Sequence, residues 1–335
     1  MVSPSSPSHP IPDATDEEAA SRTTVTILVP AFNEGESLSA NIRKLSSYAE
    51  TELLPFDWEI LLVNDGSSDD TADIANSLAD DLEKVRVIHH PMNRGLGAAL
   101  RTGFANARGE LIITMDSDLT YSVDHVLRLI EKMQATAADV VVASPYMEGG
   151  QATDVPTKRL FLSQWANRFL RFLAPLEIAT YTGMVRAYRR ETVRSLSIRS
   201  QGMEVNPEIL YKIALLRGHV EEIPAHLDWS VVQRESKAPR RISFAVNWHI
   251  LSILFSGFVF RPLAFFIFPG FALLGVSSVL AFWICGHISH YWSIAQSDLP
   301  GPLNHLSAAM SLAYQNHGHV FFLLSVTSLV ALQFI

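Results

Sequence analysis

The chain predicts an α/β domain built on an open parallel sheet, followed by a membrane-spanning hairpin. Three observations lead there. Short β-branched runs alternate with stretches of helical spacing from Thr24 to Ser144, which implies a parallel sheet covered on both faces. All 26 lysines and arginines lie at or before Arg261, and the remainder to Ile335 carries one acid, Asp298, among long apolar runs. Finally, the apolar run Leu111–Met115 ends abruptly in two carboxylates, Asp116 and Asp118.

The elements follow in order. Thr24–Val29 is a strand stopped by Pro30, and Ser37–Ala49 spaces Leu38, Ile42, Leu45 and Tyr48 as a helix does. Trp58–Val63 is a second strand ended by Asn64-Asp65-Gly66-Ser67, and Thr71–Leu82 a second helix. Val85–His89, Gly97–Ala107, Leu111–Met115, Val126–Thr136 and Asp139–Ser144 continue the alternation. In such sheets ligands bind beyond the carboxyl ends of the strands. Pro30–Glu34, Asn64–Ser67 and Asp116–Asp118 all fall at those ends, so three separated loops converge on one crevice.

Two carboxylates one residue apart at a strand end suit a hard divalent cation, Mg²⁺ or Mn²⁺, whose shell is completed by substrate phosphates. An Asp-rich turn closed by local Asx hydrogen bonds is the alternative for the dipeptide spacing alone; the convergence of loops favours the metal. No G-x-G-x-x-G follows the first strand, so a simple dinucleotide fold is not the best reading, and the lone Gly95-Leu96-Gly97 is weak evidence for anything.

Composition removes other classes. The net charge of −8, with no dominant basic face, argues against a nucleic-acid partner. The single cysteine, Cys285, rules out a disulfide within the chain and makes a thiolate zinc site implausible. Residues 1–22 are rich in Ser, Pro and acid, lack an apolar h-region, and read as a disordered tail rather than a signal peptide.

Leu263–Gly286 has roughly the 20 apolar residues a bilayer needs. Val320–Ile335 is a shorter second run that stops at the chain end, and we expect either a thin span or a natural continuation beyond it. Lys237, Arg240, Arg241 and Arg261 precede the first span, while the loop from His287 to His319 has no Lys or Arg. The positive-inside rule then puts residues 1–261 in the cytoplasm, with two buried core helices of a soluble protein as the alternative. Two further stretches suggest interfacial helices. Lys158–Ala174 places Leu162, Trp165, Phe169 and Phe172 near one face among Lys158, Arg159, Arg168 and Arg171, and 242–261 is apolar around Trp248. An ordinary helix packed on the sheet explains each equally well when taken alone.

Five motifs occur in order: Val29-Pro30-Ala31-Phe32-Asn33-Glu34, Val63-Asn64-Asp65-Gly66-Ser67-Ser68-Asp69-Asp70-Thr71, Asn93-Arg94-Gly95-Leu96-Gly97, Asp116-Ser117-Asp118-Leu119 and Arg186-Ala187-Tyr188-Arg189-Arg190. Together they resemble family 2 glycosyltransferases of the GT-A fold, a Rossmann-like nucleotide-sugar domain, and within them the dolichyl-phosphate mannose synthase/polyprenyl-phosphate glycosyltransferase group. The resemblance runs from about Val25 to Arg241. It implies a glycosyltransferase domain over 23–241, followed by the interfacial helix over 242–261 and the two-helix transmembrane region over 262–335 that hydropathy suggests.

The resemblance further implies nucleotide binding by Pro30, Phe32, Glu34 and Asp65, and metal binding by Asp116 and Asp118. Arg234, Ser236 and Lys237 match a segment that closes over the donor diphosphate, Arg234 with a catalytic role; a basic anchor beside the membrane is the competing reading of that run. Arg159 and Ser163, at i and i+4, match the segment that grips an acceptor polyprenyl phosphate. The implied partners are a nucleotide sugar, GDP-mannose or UDP-glucose, a polyprenyl phosphate and the membrane. The implied reaction is metal-dependent, inverting transfer of mannose or glucose at the cytoplasmic face.

The chain departs from the family pattern at Thr120, where a Gln usually helps complete the metal site; threonine is a weaker oxygen ligand. Pro145 stands where an Arg is frequent beside the acceptor phosphate, and Arg234-Glu235-Ser236-Lys237 is compressed. Two rivals follow. A hydroxyl acceptor would need a carboxylate base, for which Glu204 and Glu208 are candidates. A non-catalytic membrane scaffold is the rival from another class.

Overall fold

The computed structural model describes residues 22–173, 176–230, 262–295 and 301–335. The expected tail before residue 22, the expected interfacial helix at 242–261, and Arg234, Ser236 and Lys237 lie outside the described residues. The chain divides into two compact units, Met1–Ser256 and Gly257–Ile335.

The first unit is built on strands β1 (Thr24–Ala31), β2 (Asp57–Asn64), β3 (Val85–His89), β4 (Leu111–Thr114) and β5 (Val140–Ser144). Between them lie helices α1 (Leu38–Glu52), α2 (Thr71–Asp81), α3 (Leu96–Asn106) and α4 (His125–Thr136). After β5 come β6 (Gln151–Thr153), α5 (Thr157–Leu173), β7 (Arg186–Arg189), α6 (Arg190–Ser195), α7 (Val205–Leu215), β8 (Val220–Pro224) and β9 (His226–Asp228). Seven strands form one sheet in the order β3-β2-β1-β4-β7-β5-β8, and β6 pairs with β9 in a separate ribbon. The central strands are apolar along nearly their whole length because helices cover both faces. Val25, Ile27 and Val29 of β1, Leu111 and Ile113 of β4, and Val141 and Ala143 of β5 meet Leu38, Ile42 and Leu45 of α1 and Val126, Leu129, Ile130 and Met133 of α4 in one core.

The sequence-predicted parallel sheet needs one correction. β7 runs antiparallel between β4 and β5. Its first residue, Arg186, pairs with Thr114, the last of β4, so the chain enters β7 from the carboxyl edge of the sheet. The preceding excursion through β6 stays at that edge, since β6 pairs with β9 just after β8 ends. Re-entry from the carboxyl edge forces the reversed direction, and side-chain periodicity carries no information about direction.

β7 also buries Arg186 completely. Its guanidinium donates to the carbonyls of Asn206 at 2.9 Å and Tyr181 at 2.7 Å. Truncation to alanine would open a cavity and leave both carbonyls without their donor. We expect Arg186→Ala to cost about 3–5 kcal/mol, read as a lower unfolding midpoint of the full chain in detergent; an unchanged midpoint would remove this role.

The second unit is a pair of helices, α8 (Pro262–Trp292) and α9 (Pro302–Phe334). Phe266–Trp292 and Pro302–Phe334 have mean hydropathies of 2.0 and 1.4 and are long enough to cross a membrane. Close packing comes from small and hydroxyl residues. Ser277 and Thr327 hydroxyls meet at 2.9 Å, and a Cβ at Gly270 would come within 2.7 Å of Ile335. Phe271, Val279 and Phe282 point outward and are exposed, as lipid-facing side chains are. α9 begins well before the expected Val320, because Asn304, His305, Gln315 and Asn316 interrupt the apolar run without stopping the helix. A non-helical residue, His317, breaks it near mid-length.

Candidate active site at the carboxyl edge of the sheet

Hydrogen bonds join the first two of the three expected loops, and Asn41 of α1 holds the third by its Ser117 carbonyl. Between the β1 and β2 loops, Asn33 accepts from the Ser68 N–H at 2.8 Å, Ser67 Oγ accepts from the Asn33 N–H at 3.0 Å, and Thr71 Oγ1 accepts from the Glu34 N–H at 2.9 Å. Asp69 accepts from the Gly35 N–H at 3.1 Å. Glycine is required at the next junction. Gly66 has φ +65, and a Cβ there would lie 2.1 Å from the Met92 backbone.

Asp65 makes the link to the β3 loop. It is buried and accepts from the N–H groups of Arg94 at 3.0 Å and Gly95 at 2.7 Å, with His90 Nδ1 at 2.6 Å. The resemblance offers Asp65 to a nucleotide, whereas the hydrogen bonds in the structure are to its own chain. Pro30 is buried beneath the loop, Phe32 is exposed at its rim, and Glu34 is partly exposed.

Asp116 and Asp118 sit partly exposed past the end of β4. The turn that carries them is held from two sides. Asn41 of α1 donates to the Ser117 carbonyl at 3.0 Å, and the Thr120 N–H donates to Asp118 Oδ1 at 3.1 Å. Leu119 takes a left-handed φ of +47, uncommon for a non-glycine residue and a form of strain that clusters at functional sites. Thr120 is buried, and its backbone makes two hydrogen bonds: the N–H to Asp118, and the carbonyl accepting from the Asp228 N–H at 2.9 Å. These contacts position Asp118.

Charge explains why the pair is poised. Burial and the Asp118 carboxylate raise Asp116 well above the usual carboxylate range; Arg159 opposes the rise and Glu34 adds to it. The repulsion between the two carboxylates is what a bound divalent cation would relieve. The donor set fits such an ion. The two aspartates supply hard oxygen ligands, and no group of three or more His, Cys, Asp or Glu that could hold a metal occurs among the described residues. That leaves coordination positions for phosphate oxygens and water, the pattern of Mg²⁺ at nucleotide sites.

Arg159 lies near enough to Asp116 to act on its charge, although α5 is remote from β4 in sequence. The ribbon β6–β9 brings it there. Tyr121 bridges to Leu227 of β9, and Trp229, just past β9, donates its N–H to Thr153 of β6 at 3.0 Å. The Arg159 guanidinium then sits over the Trp229 ring at 4.1 Å, a cation–π contact that limits its orientation. Ser163, one turn along α5, accepts from Tyr146 Oη at 2.8 Å. Asn41, Asp228 and Trp229 are supports that the motifs do not reveal.

The two proposed bases have other partners. Burial raises the Glu208 carboxyl, but Lys212, the Ser200 side chain and the N–H groups of Ser200 and Arg199 outweigh that and hold it below the usual range. Glu204 accepts from the Gly202 N–H at 2.9 Å.

Comparison with known proteins gives the family and the fold. The pattern of glycosyl transferase family 2 matches residues 26–196. A polyprenol monophosphomannose synthase of Mycolicibacterium smegmatis is 34% identical over 176 residues, covering 51% of this chain and 64% of that protein, just under two thirds. An undecaprenyl-phosphate mannosyltransferase of Micrococcus luteus is 30% identical over 206 residues, 60% of this chain and 82% of that protein. A dolichyl-phosphate beta-glucosyltransferase of Trichomonas vaginalis is 28% identical over 241 residues, 69% and 71%. The fold is that of glucosyl-3-phosphoglycerate synthase from Mycobacterium tuberculosis, solved in complex with Mn²⁺, UDP-glucose and phosphoglyceric acid. The TM-score is 0.54 at 18% identity, over 76% of this chain and 85% of that one. This chain belongs to glycosyl transferase family 2, a glycosyltransferase whose relatives are polyprenyl- and dolichyl-phosphate sugar transferases.

Proposed function

We propose that the protein transfers a hexose, mannose or glucose, from GDP-mannose or UDP-glucose to a polyprenyl phosphate at the cytoplasmic membrane face. The observation that carries this reading is Arg159, a cation held by Trp229 within electrostatic reach of the Asp116 carboxylate. Such an arrangement suits two phosphate-bearing substrates side by side. Asp116 and Asp118 would hold Mg²⁺ or Mn²⁺ against the donor diphosphate. A metal there supplies Lewis-acid stabilisation of charge on the departing nucleoside diphosphate.

The remaining steps belong to the chain. Phe32 and Glu34 form the rim on which the nucleotide would lie, with Pro30 buried beneath them and Asp65 keeping the neighbouring loops in register. Arg159 and Ser163 orient the acceptor phosphate. That phosphate has a second pKa of about 6, is largely a dianion at neutral pH, and needs no general base. Positioning and charge balance therefore suffice, and in-line attack opposite the leaving group inverts the anomeric centre. Arg234 and Lys237 would add cations, and Ser236 a hydroxyl donor, over the diphosphate. The basic residues before α8 support a cytoplasmic placement of the sugar-transfer domain.

The test is radiolabelled-sugar transfer by the purified full chain, with GDP-mannose and UDP-glucose in parallel. Undecaprenyl and dolichyl phosphate serve as acceptors, with and without a chelator. Chelator-sensitive transfer to a lipid phosphate is expected, and no transfer from either donor sinks the proposal. The hydroxyl-acceptor rival requires a base, a role worth roughly 10²- to 10⁴-fold in rate. With Glu208 tied to Lys212 and two backbone N–H groups, Glu208→Gln should retain transfer within about tenfold. A loss of about a thousandfold in a folded variant would restore that rival.

A further inference from the structure

Two adjacent histidines grip the Asn64-Asp65 turn from opposite faces of the sheet. His89 closes β3 and pairs in register with Asn64, the last residue of β2. Its ring reaches Asn76 of α2, whereas that of His90 reaches Thr102 of α3, as the alternation of strand side chains requires. Their hydrogen-bonding demands differ. His90 Nδ1 meets the Asp65 carboxylate at 2.6 Å and therefore carries a proton. His89 Nδ1 instead meets the side-chain amide of Asn64 at 3.0 Å, and an amide can offer either its oxygen or its NH₂.

Ser67 decides which. Its backbone N–H can only donate and lies 3.1 Å from one terminal atom of Asn64, so that atom is the carbonyl oxygen. The Ser67 hydroxyl donates to the same oxygen at 2.6 Å and keeps a lone pair that accepts from the Asn33 N–H at 3.0 Å. The NH₂ of Asn64 is thereby turned toward His89. Nδ1 of His89 must be bare, and its proton must sit on Nε2, 2.9 Å from Asn76 Oδ1. An oriented chain of hydrogen bonds then runs from Asn76 through His89, Asn64 and Ser67 to Asn33. Its far end is strained. Asn33 takes a left-handed φ of +55 between Phe32 and Glu34, a conformation that persists where neighbours over-determine it. Those neighbours are Ser67 Oγ on its N–H and the Ser68 N–H, which donates to its Oδ1 at 2.8 Å.

We propose that His89 is a positioning residue for the nucleotide sugar. As a hydrogen-bond acceptor it fixes the Asn64 amide, and through Ser67 and Asn33 it sets where Phe32 and Glu34 stand. This role rests on the proposed place of the nucleotide at those two residues; the His89 ring itself does not touch the substrate. Asn64 is buried, so an NH₂ that loses its acceptor has no solvent to turn to. His89 is exposed and lies outside the hydrophobic core, so replacing it perturbs the hydrogen bond rather than the packing. The chain needs a lone pair at the position of Nδ1. Asparagine supplies one through Oδ1, and leucine, of similar size, does not.

The experiment compares the full chain in detergent with His89→Leu and His89→Asn. Transfer to undecaprenyl phosphate is followed at varied GDP-mannose and at varied UDP-glucose. His89→Leu leaves a buried NH₂ unpaired, and the KM for the donor should rise about five- to twentyfold. Its kcat and its KM for the lipid phosphate should stay within about twofold, the pattern of lost ground-state binding. His89→Asn should return the donor KM to within about threefold of wild type, which separates the acceptor atom from folding. The second readout is the ring itself. Nitrogen-15 NMR of histidine-labelled protein at alkaline pH, with the His89 signal identified by its loss in His89→Asn, should show the Nε2–H tautomer. An Nδ1–H tautomer overturns the proposal, and so does an unchanged donor KM in His89→Leu. Equal impairment of the leucine and asparagine variants overturns it too, since a merely structural residue would behave that way. Absence of transfer by wild type would remove the proposed function but not the hydrogen-bond chain, because the tautomer is measured without substrate.

Discussion

Asp116→Asn and Asp118→Asn should each lower sugar transfer by about a thousandfold while leaving the fold intact. Both side chains lie at the sheet edge, partly exposed, where the amide is nearly isosteric and disturbs little packing. What it removes is charge. Either variant leaves a single carboxylate to hold the cation, and one carboxylate binds a divalent ion poorly without further protein ligands. The pair also gives a sign to the pH dependence. Asp116 is raised by burial and by Asp118, so its proton competes with the metal at a higher pH than an ordinary carboxylate would allow. Metal binding by wild type should therefore weaken on going from about pH 8 to about pH 5.5, as ligand protonation demands. Asp118→Asn deletes the largest charge contribution, and the remaining dependence should move toward lower pH. Mn²⁺ titration of the full chain in detergent, followed by electron paramagnetic resonance, measures both effects. Equal affinity at the two pH values in wild type would refute the coupling of the carboxylates to a cation.

Arg159→Ala should separate the two substrates. A charge-assisted hydrogen bond to phosphate is worth about 1.5–3 kcal/mol, so kcat/KM for polyprenyl phosphate should fall roughly 10- to 150-fold. Hydrolysis of the nucleotide sugar by water, which needs no acceptor phosphate, should change far less. Trp229→Leu is the informative companion, because it keeps the guanidinium and removes the ring beneath it. It should cost acceptor use by about two- to fivefold, the scale of a surface cation–π contact. Parallel assays of transfer and hydrolysis distinguish the outcomes. Equal loss of both in Arg159→Ala would place the arginine on the donor side, where its influence on Asp116 would then have its use.

Particular residues show how far the sequence could be read. The strands and helices up to Ser144 were legible because apolar spacing is a local property, and central strands such as β4 and β5 are buried along their whole length. The convergence of the three loops followed from topology, since parallel strands share a carboxyl edge. The direction of β7 was not legible, nor were Asn41 and Trp229 as supports. Asn41 reads as a polar position on an amphipathic helix, and only its burial against Ser117 discloses its task. Glu208 looked like a free carboxylate until its partners Lys212, Arg199 and Ser200 were in place. On α5 one face packs on the domain and another exposes aromatics, a division that the spacing alone did not assign.

The sequence by itself determined the chemistry available: a paired carboxylate at a strand end, a nucleotide-binding type of sheet and two apolar helices. These are set by residue type and short-range spacing, which survive without knowledge of the fold. Tertiary structure decided which cation faces the Asp pair and which do not. Arg159 and Arg168 stand on the same helix with the same charge, yet Trp229 and the β6–β9 ribbon bring the first toward Asp116, while the second lines a cavity farther along α5, beside Pro145 and Tyr146. Coulomb interactions depend on distance through space, and that distance is created only when strands remote in sequence pair.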